Sequence, residues 1–416
     1  MGGAIGRAER DVAGAFVSPL MTSADAAEFA ARPPAAVRSA GAIEIVPVRS
    51  GAERREFIGV SAAVYGGDKA FVPPLRMERD RVLTPRHNPY FERADVQLWI
   101  ARQDGRAVGR ISAQLNHRHL ARHDAHAGHF GFIEATRSEP VFASLFNAAE
   151  SWLRERGMRR CLGPFSFSIN DESGLLVDGF DTPPYLMMGH APPYYGPFLE
   201  RLGYAKAKDF IAYTLDLEGR PVPASVQRLV DRAKSDPRIR LRPFTRATYE
   251  RDLATMVDIF NDAWSDNWGF LPITEDEIAH MAKELRLIVH DYSACIADLE
   301  GRPVAFALAL PNINEAIADL GGRLLPFGWA KLFYRLNRIK TVRVPLMGVR
   351  KELHSTPIGA VLAYGVIDGV YDAHRRHGFK TAEMSWILED NLPMRNMIEA
   401  IGGRAYKTYR IYEKAL

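Results

Sequence analysis

Residues 170–174, Asn170-Asp171-Glu172-Ser173-Gly174, place two adjacent carboxylates directly after the apolar run 165–169. At the end of a strand such a pair can hold an ammonium ion or take its proton. The same five residues also make an ordinary polar turn closed by glycine. Glu134, at the end of the apolar stretch 130–133, is a second carboxylate with the same two readings. Further on, Trp264-Ser265-Asp266-Asn267-Trp268-Gly269-Phe270 sets three aromatic side chains around Asp266 and Asn267. That mixture suits an amphipathic ligand, and equally an interhelix core. Pro183-Pro184-Tyr185 and Pro192-Pro193-Tyr194-Tyr195 offer rigid aromatic walls or packed loops. Asn170 and Tyr195 thus join Trp264, Asp266, Asn267, Trp268 and Phe270 as candidate substrate contacts.

Two other clusters carry different chemistry. His117, His119, His123, His126 and His129 crowd one polar connection, with neither a Cys partner nor a His-Glu-x-x-His pair. They read as a solvated loop, and no metal is assigned. Segment 322–344 contains Arg323, Lys331, Arg335, Arg338, Lys340 and Arg343 without a single acid, interleaved with Leu324, Leu325, Phe327, Trp329, Leu332, Phe333 and Leu336. A helix over 327–339 would gather Trp329, Leu332, Phe333 and Leu336 on one face. Such a helix can lie on an anionic membrane. It can also be a basic flank over a core helix or a contact for an anionic ligand. The aromatics share a face rather than forming a spread stacking platform, which disfavours nucleic acid.

The elements that must position these residues follow from hydrophobic period and turn chemistry. A strand is expected at 43–48, a hairpin over 96–101 and 107–115, a strand at 129–134, a helix from Glu139-Pro140 closed by Gly157, and a strand over 161–169. The second half repeats that grammar. A strand starts at 240–244, helices run over 248–263 and 275–285, and a hairpin covers 292–297 and 304–310. A strand at 341–349, a helix at 357–377 stopped by Gly378, and a strand at 381–388 follow. Phe198-Leu199-Glu200-Arg201-Leu202-Gly203-Tyr204 echoes Met397-Ile398-Glu399-Ala400-Ile401-Gly402-Gly403, and a Tyr-containing strand follows each. The reading is an α/β chain of two related domains, 43–222 and 223–416, joined at the polar linker 218–223 and preceded by a flexible alanine-rich tail over 1–42.

Composition agrees. The chain has 416 residues, 47% hydrophobic and 25% charged, an ordinary globular mixture rather than a disordered or disulfide-stapled one. Its two cysteines, Cys161 and Cys295, match no metal spacing, and no uncharged apolar run reaches the ~18 residues that span a bilayer. These features suit a cytoplasmic protein, with segment 322–344 as its peripheral contact to the inner face of the membrane. A formal charge of +4 is small for this length and calls for no polyanionic partner.

The hairpin, strand, loop–helix and strand of 292–388 resemble the fold of the Gcn5-related N-acetyltransferase (GNAT) superfamily. So does Glu389-Asp390-Asn391-Leu392-Pro393-Met394-Arg395-Asn396-Met397, similar to the superfamily's Asn-started last helix. Residues 43–225 look like a more degenerate copy. Through Phe71-Val72-Pro73-Pro74-Leu75, Ser168-Ile169 with the 170–174 stretch, Pro192-Pro193-Tyr194-Tyr195 and the 264–270 cluster, the whole chain resembles bacterial tandem-domain members, including bacterial ceramide synthases. The resemblance implies an acyl-CoA-dependent N-acyltransferase that forms an amide on a long-chain amine, the sphingoid base of a ceramide. The alternatives are another amine acceptor, or a non-catalytic binding module for CoA or lipid.

An acyl-CoA donor needs its diphosphate on amides at a helix N-terminus. His354-Ser355-Thr356-Pro357-Ile358-Gly359-Ala360 offers capping residues, Pro at the first turn, Gly359 and Ala360 for close approach, and no acid until Asp368. The equivalent start in the first half, Thr136-Arg137-Ser138-Glu139-Pro140, carries a carboxylate instead. CoA is therefore expected on the second domain. The segment keeps only one glycine of the superfamily's Arg/Gln-x-x-Gly-x-Gly/Ala pattern, and it reads equally well as a simple capped helix start. By the same resemblance, Leu346, Met347, Gly348 and Val349 flank the thioester arm, and Asn391 starts the helix beside it. Where many members carry an acidic Tyr, this chain has Ile398. Tyr406 or Tyr409 can replace it as proton donor to the leaving thiolate, beside Glu134, Asp171 and Glu172 as candidate bases.

Overall fold

The computed structural model describes residues 41–218, 222–286 and 288–416. The alanine-rich tail lies outside the described residues except for Gly41 and Ala42, as does the centre of the expected linker, 219–221. Residues 43–416 form one compact unit.

The strands are β1 (Ile43–Pro47), β2 (Ala94–Gln103), β3 (Arg106–Asn116), β4 (Ala127–Ala135), β5 (Arg160–Gly163), β6 (Phe165–Ser166), β7 (Glu172–Ser173), β8 (Leu175–Asp178), β9 (Ala205–Asp216), β10 (Ile239–Pro243), β11 (Ala294–Leu299), β12 (Arg302–Pro311), β13 (Thr341–Val349), β14 (Thr381–Leu388) and β15 (Arg404–Ala415). One mixed sheet takes them in the order β1-β2-β3-β4-β5-β15-β9-β14-β13-β12-β11-β10, with β8 also on β15 and β6-β7 forming a separate pair. The expected strand over 161–169 is interrupted, because Pro164 has no N–H to offer a ladder and the chain leaves the sheet there.

The order β9-β14 and β5-β15 is the most informative feature. The closing strand of the first half lies against β14 of the second, and the closing strand of the second lies against β5 of the first. Between them β9 and β15 pair antiparallel over nearly their full length. The strands that follow the two echoed segments are thus the central seam. The preceding helices Tyr195–Arg201 and Leu392–Ala400 occupy matching positions in the two halves of the sequence.

Helices cover the sheet because their apolar stripes require it. Glu139–Arg154 buries Val141, Phe142, Leu145, Phe146, Ala149 and Leu153. It belongs to the core of the first half, whose other members include β15 residues Tyr409, Ile411 and Tyr412. Pro357–Arg376 buries Val361, Leu362, Val366 and Val370 in the second-half core, which takes in Tyr213 and Leu215 of β9. Each core is therefore completed by the other half's strand.

The histidine cluster departs from the sequence reading. Residues His117–Arg122 form a short helix capped by Asn116, and His119 and His129 are buried with ring centroids 4.4 Å apart. Burial depresses both, His119 to about 4 and His129 further, so they are neutral packing residues rather than a solvated loop.

Candidate acyl-transfer site

β13 and β14 run parallel and paired only over Thr341–Val344 and Thr381–Met384. Beyond that point β13 stays with β12, through Leu346 to Val349, while β14 stays with β9, through Ile387 and Leu388. The sheet opens into a wedge. Along its β13 side lie Leu346, Met347, Gly348 and Val349, whose edge amides are released from β14. Trp264 reaches this strand, its indole N–H donating to Met347 O at 2.9 Å.

The helix Pro357–Arg376 begins at the end of the same strand. Thr356 is its N-cap, accepting from Gly359 N at 3.0 Å. Ala360 N donates to Thr356 O, Pro357 has no N–H, and the first turn holds no acid. A Cβ on Gly359 would stand 2.0 Å from Leu353 O, so this glycine is required by the chain's own preceding turn. The nearby cations are engaged: Lys351 pairs with Asp266, Arg350 with Asp258, and His354 Nε2 lies 2.7 Å from Val349 O. Asn391 caps the helix Leu392–Ala400 by accepting from Met394 N.

The first half has a matching divergence that its own chain fills. β4 and β5 pair only over Ala127–His129 and Arg160–Leu162. β6 then occupies the opening, where a Cβ on Gly131 would meet Phe165 O at 1.8 Å and Gln114 Nε2 donates to Phe165 O at 2.7 Å. Glu139 stands in the first turn of the following helix. Of the two openings, and among the described residues, the second-half wedge is the one that combines an unpaired strand edge with an acid-free helix start.

Glu134 and Glu172 both line a cavity of about 270 Å³. Its walls are largely apolar: Phe71, Val72 and Leu75 on one side, Phe132 and Ile133 of β4, Leu186–Met188, and Ile313 and Ile317 from the second half. Arg110 lies 3.1 Å from Glu134, and Arg79 pairs with Glu172. Burial raises the Glu134 carboxyl above its ordinary range, with Arg110 pulling the other way. An apolar chamber whose polar wall sets Glu78, Glu134 and Glu172 against Arg79 and Arg110, an excess of carboxylate over guanidinium, can hold a cationic head and an apolar tail.

A buried ion pair lies in the paired part of β13 and β14, next to the opening, and touches the cavity wall. Arg343 of β13 and Glu383 of β14 stand 3.4 Å apart with almost no exposure. Arg343 also donates to Leu186 O in the cavity wall and to Ser385 O, and stacks over Trp386. Desolvation lifts Glu383 to about 7 despite Arg343. In the same cluster Tyr406 Oη and Trp386 Nε1 are buried with no hydrogen-bond partner among the described residues. Neither Arg343 nor Glu383 was singled out as a site residue, although a charge inside Val342-Arg343-Val344 and Ala382-Glu383-Met384 is the available signal.

The remaining candidates are placed as follows. Tyr409 is fully buried and its hydroxyl donates to Gly189 O at 3.1 Å, leaving Tyr406 as the tyrosine with an uncommitted hydroxyl. Asp171 accepts from Ser168 N and Oγ, closing the turn that carries Glu172. Asn170 donates to Leu271 O across to the second half. Tyr195 is buried against Ala135. Phe270 packs with Phe260 in a second-half core, Trp268 packs on Phe210, and Asn267 N closes a turn on Trp264 O. Trp264, Asp266 and the β13 residues are thus gathered at the wedge, Glu134 and Glu172 at the cavity, and Tyr195 and Phe270 at neither.

No family model matches the chain. A bacterial ceramide synthase from Caulobacter vibrioides (strain NA1000 / CB15N) is 45% identical over 377 residues, 90% of this chain and 98% of that protein. Protein YghO from Escherichia coli (strain K12) is 43% identical over 364 residues, 87% of this chain and 93% of that protein. Among solved structures, a tandem GNAT protein from the clavulanic acid biosynthesis pathway has a TM-score of 0.54 at 13% identity, covering 90% of this chain and 98% of that one. The glucosamine N-acetyltransferase region of a fungal multi-domain GH3 β-N-acetylglucosaminidase has a TM-score of 0.51 at 12% identity, covering 91% of this chain and 38% of that one. Sequence likeness over nearly the whole chain and the doubled wedge-bearing sheet agree: the chain belongs to the family of the bacterial ceramide synthase, and it is an acyltransferase built on the tandem GNAT fold.

Proposed function

We propose that the enzyme transfers a long acyl chain from CoA to the amine of a long-chain base, the reaction implied by its relative's name, ceramide synthase. The observation that carries this reading is the cavity: apolar on most sides, with Glu134 and Glu172 on its wall. The domain boundary is proposed at 222/223, each domain lending its last strand to the other's sheet.

In this reading the diphosphate of acyl-CoA sits at the start of the helix Pro357–Arg376 and the thioester arm lies in the β13–β14 wedge. An ammonium head held by Glu134 and Glu172 must lose a proton before it can attack. A carboxylate lifted by burial takes that proton more readily than an ordinary one, because its affinity approaches that of the amine. The free amine nitrogen then bonds to the thioester carbonyl carbon, the C–S bond breaks, and the nitrogen's surplus proton passes to Glu172, so that a neutral amide and the CoA thiolate separate. Amides at the wedge edge stabilise the developing oxyanion. Tyr406, with its uncommitted hydroxyl, is the proton donor to the thiolate. Exposed residues within 323–338 of segment 322–344 give the enzyme its peripheral contact with the inner face of the cytoplasmic membrane; Arg343, grouped with them in the sequence, is buried in β13.

The test is reconstitution with palmitoyl-CoA and sphinganine, following free thiol and N-acyl product by mass spectrometry. Equimolar thiol and amide are expected. Thiol release without amide, or no reaction with any long-chain amine, overturns the reading.

A further inference from the structure

Large apolar side chains that stand exposed are concentrated in one place. Leu325, Phe327, Trp329, Phe333 and Tyr334 are 51–79% exposed and fall within ten residues. The helix here, Gly328–Leu336, is shorter than the sequence suggests, and its expected single face divides. Leu332 and Leu336 turn inward onto the second-half core, while Trp329 and Phe333 turn out. Folding therefore satisfies half of the stripe and leaves the other half to a partner. Exposed apolar surface of this kind marks an interaction site.

The charges around the patch say which partner. Lys331 and Arg335 are paired with Asp319. Arg323, Arg338 and Lys340 are exposed and form no carboxylate ion pair among the described residues, and Arg338 lies over the Tyr334 ring at 3.9 Å. Aromatic and basic side chains side by side fit the interfacial zone of an anionic bilayer, where rings sit among headgroups and cations meet phosphates.

The patch also adjoins the acceptor cavity. Pro74 and Leu75 line the cavity, and the next residue, Arg76, donates its backbone N–H to Gly322 O at 2.9 Å. A Cβ on Gly322 would stand 2.6 Å from Pro74 O, so the two backbones touch. Met77, also exposed, extends the apolar surface on that side. On the other side, Ile313, Asn314 and Ile317 line the cavity, and Arg335 of the patch helix is bonded to Ala316 O and Asp319 directly beyond them. Two walls of the chamber are thus continuous with the elements that carry the patch.

We infer that the acceptor passes sideways from an anionic leaflet into the cavity through a mouth framed by residues 71–77 and 313–329, without crossing water. This inference rests on the acceptor site proposed above and adds its route. A long-chain amine is poorly soluble as a monomer, so a route along continuous apolar surface avoids exposing its tail.

The experiment compares the intact enzyme with the double variant Phe327→Ser/Phe333→Ser, with thermal stability checked for both. Each is assayed on sphinganine embedded in phosphatidylglycerol-containing vesicles and on octylamine in solution, with vesicle sedimentation measured in parallel. The variant is expected to lose vesicle binding by about tenfold or more, and to show a similar rise in KM for embedded sphinganine. Its octylamine kinetics should stay within about twofold. Unchanged vesicle binding, unchanged KM for the embedded amine, or an equal loss with octylamine overturns the route. Hydrogen exchange of the intact enzyme on the same vesicles reads it independently of turnover. Protection of 322–336 together with 71–79 is expected, and protection of neither overturns it. If both enzymes bind vesicles as expected but acylate neither amine, the proposed reaction fails and the exchange result alone decides the surface.

Discussion

At the residue scale the account turns on carboxylates taken out of water. Glu134→Gln should lower kcat by about 10²- to 10⁴-fold, the loss expected of a general base, with the assay run below a melting temperature lowered by leaving Arg110 without its counter-charge. Because burial raises this carboxyl, activity should fall as pH drops through a range above that of an ordinary glutamate. A kcat/KM profile with no acidic limb above that range would contradict the assignment. Glu383 makes a different prediction, about stability. Its native value of about 7 exceeds the ordinary 4.5, so the native state binds the proton more tightly than the unfolded one. Stability should therefore decline as pH rises between these values, by on the order of 3 kcal/mol for this group. Glu383→Gln should flatten that slope in urea titrations across the window. The carboxylates at 134 and 172 were legible because each follows an apolar run. Arg343 and Glu383 were not singled out, because a charge inside a buried strand gains meaning only when its partner strand is known.

At the element scale, spacing alone identified β13, β14 and the helix between them almost to the residue. Their parting was not legible, since periodicity gives a strand's faces but not where its neighbour leaves. The helix start yields a clean test. Pro357 is exposed at the first helical position, where an acid is favoured by the helix dipole. Pro357→Glu should thus keep or slightly raise stability while placing a carboxylate against the diphosphate. Acyl-CoA affinity by calorimetry is expected to fall by at least about tenfold. Gly359 is unsuited to this purpose, because any side chain there strikes Leu353 O. The histidine segment shows the opposite failure: polar composition suggested water, yet Asn116 caps a short helix that carries His119 inward against His129.

For the whole molecule, duplication was visible in the echo of 198–204 and 397–403, whereas the exchange of closing strands was not, since no local pattern encodes which sheet a strand joins. The exchange has a consequence. Residues 43–218 lack β15 and residues 222–416 lack β9, so each half alone loses a strand that completes its core. Expressed separately, neither should give a cooperative thermal transition; expressed together, they should reassemble into a complex on gel filtration. Independent folding of either half would show that the seam is dispensable. The central claim, donor in the second-half wedge, is tested most directly by hydrogen exchange with a non-hydrolysable palmitoyl-CoA thioether. Slowed exchange is expected over 345–360. Slowed exchange over 131–141 instead, with 345–360 unchanged, would contradict it.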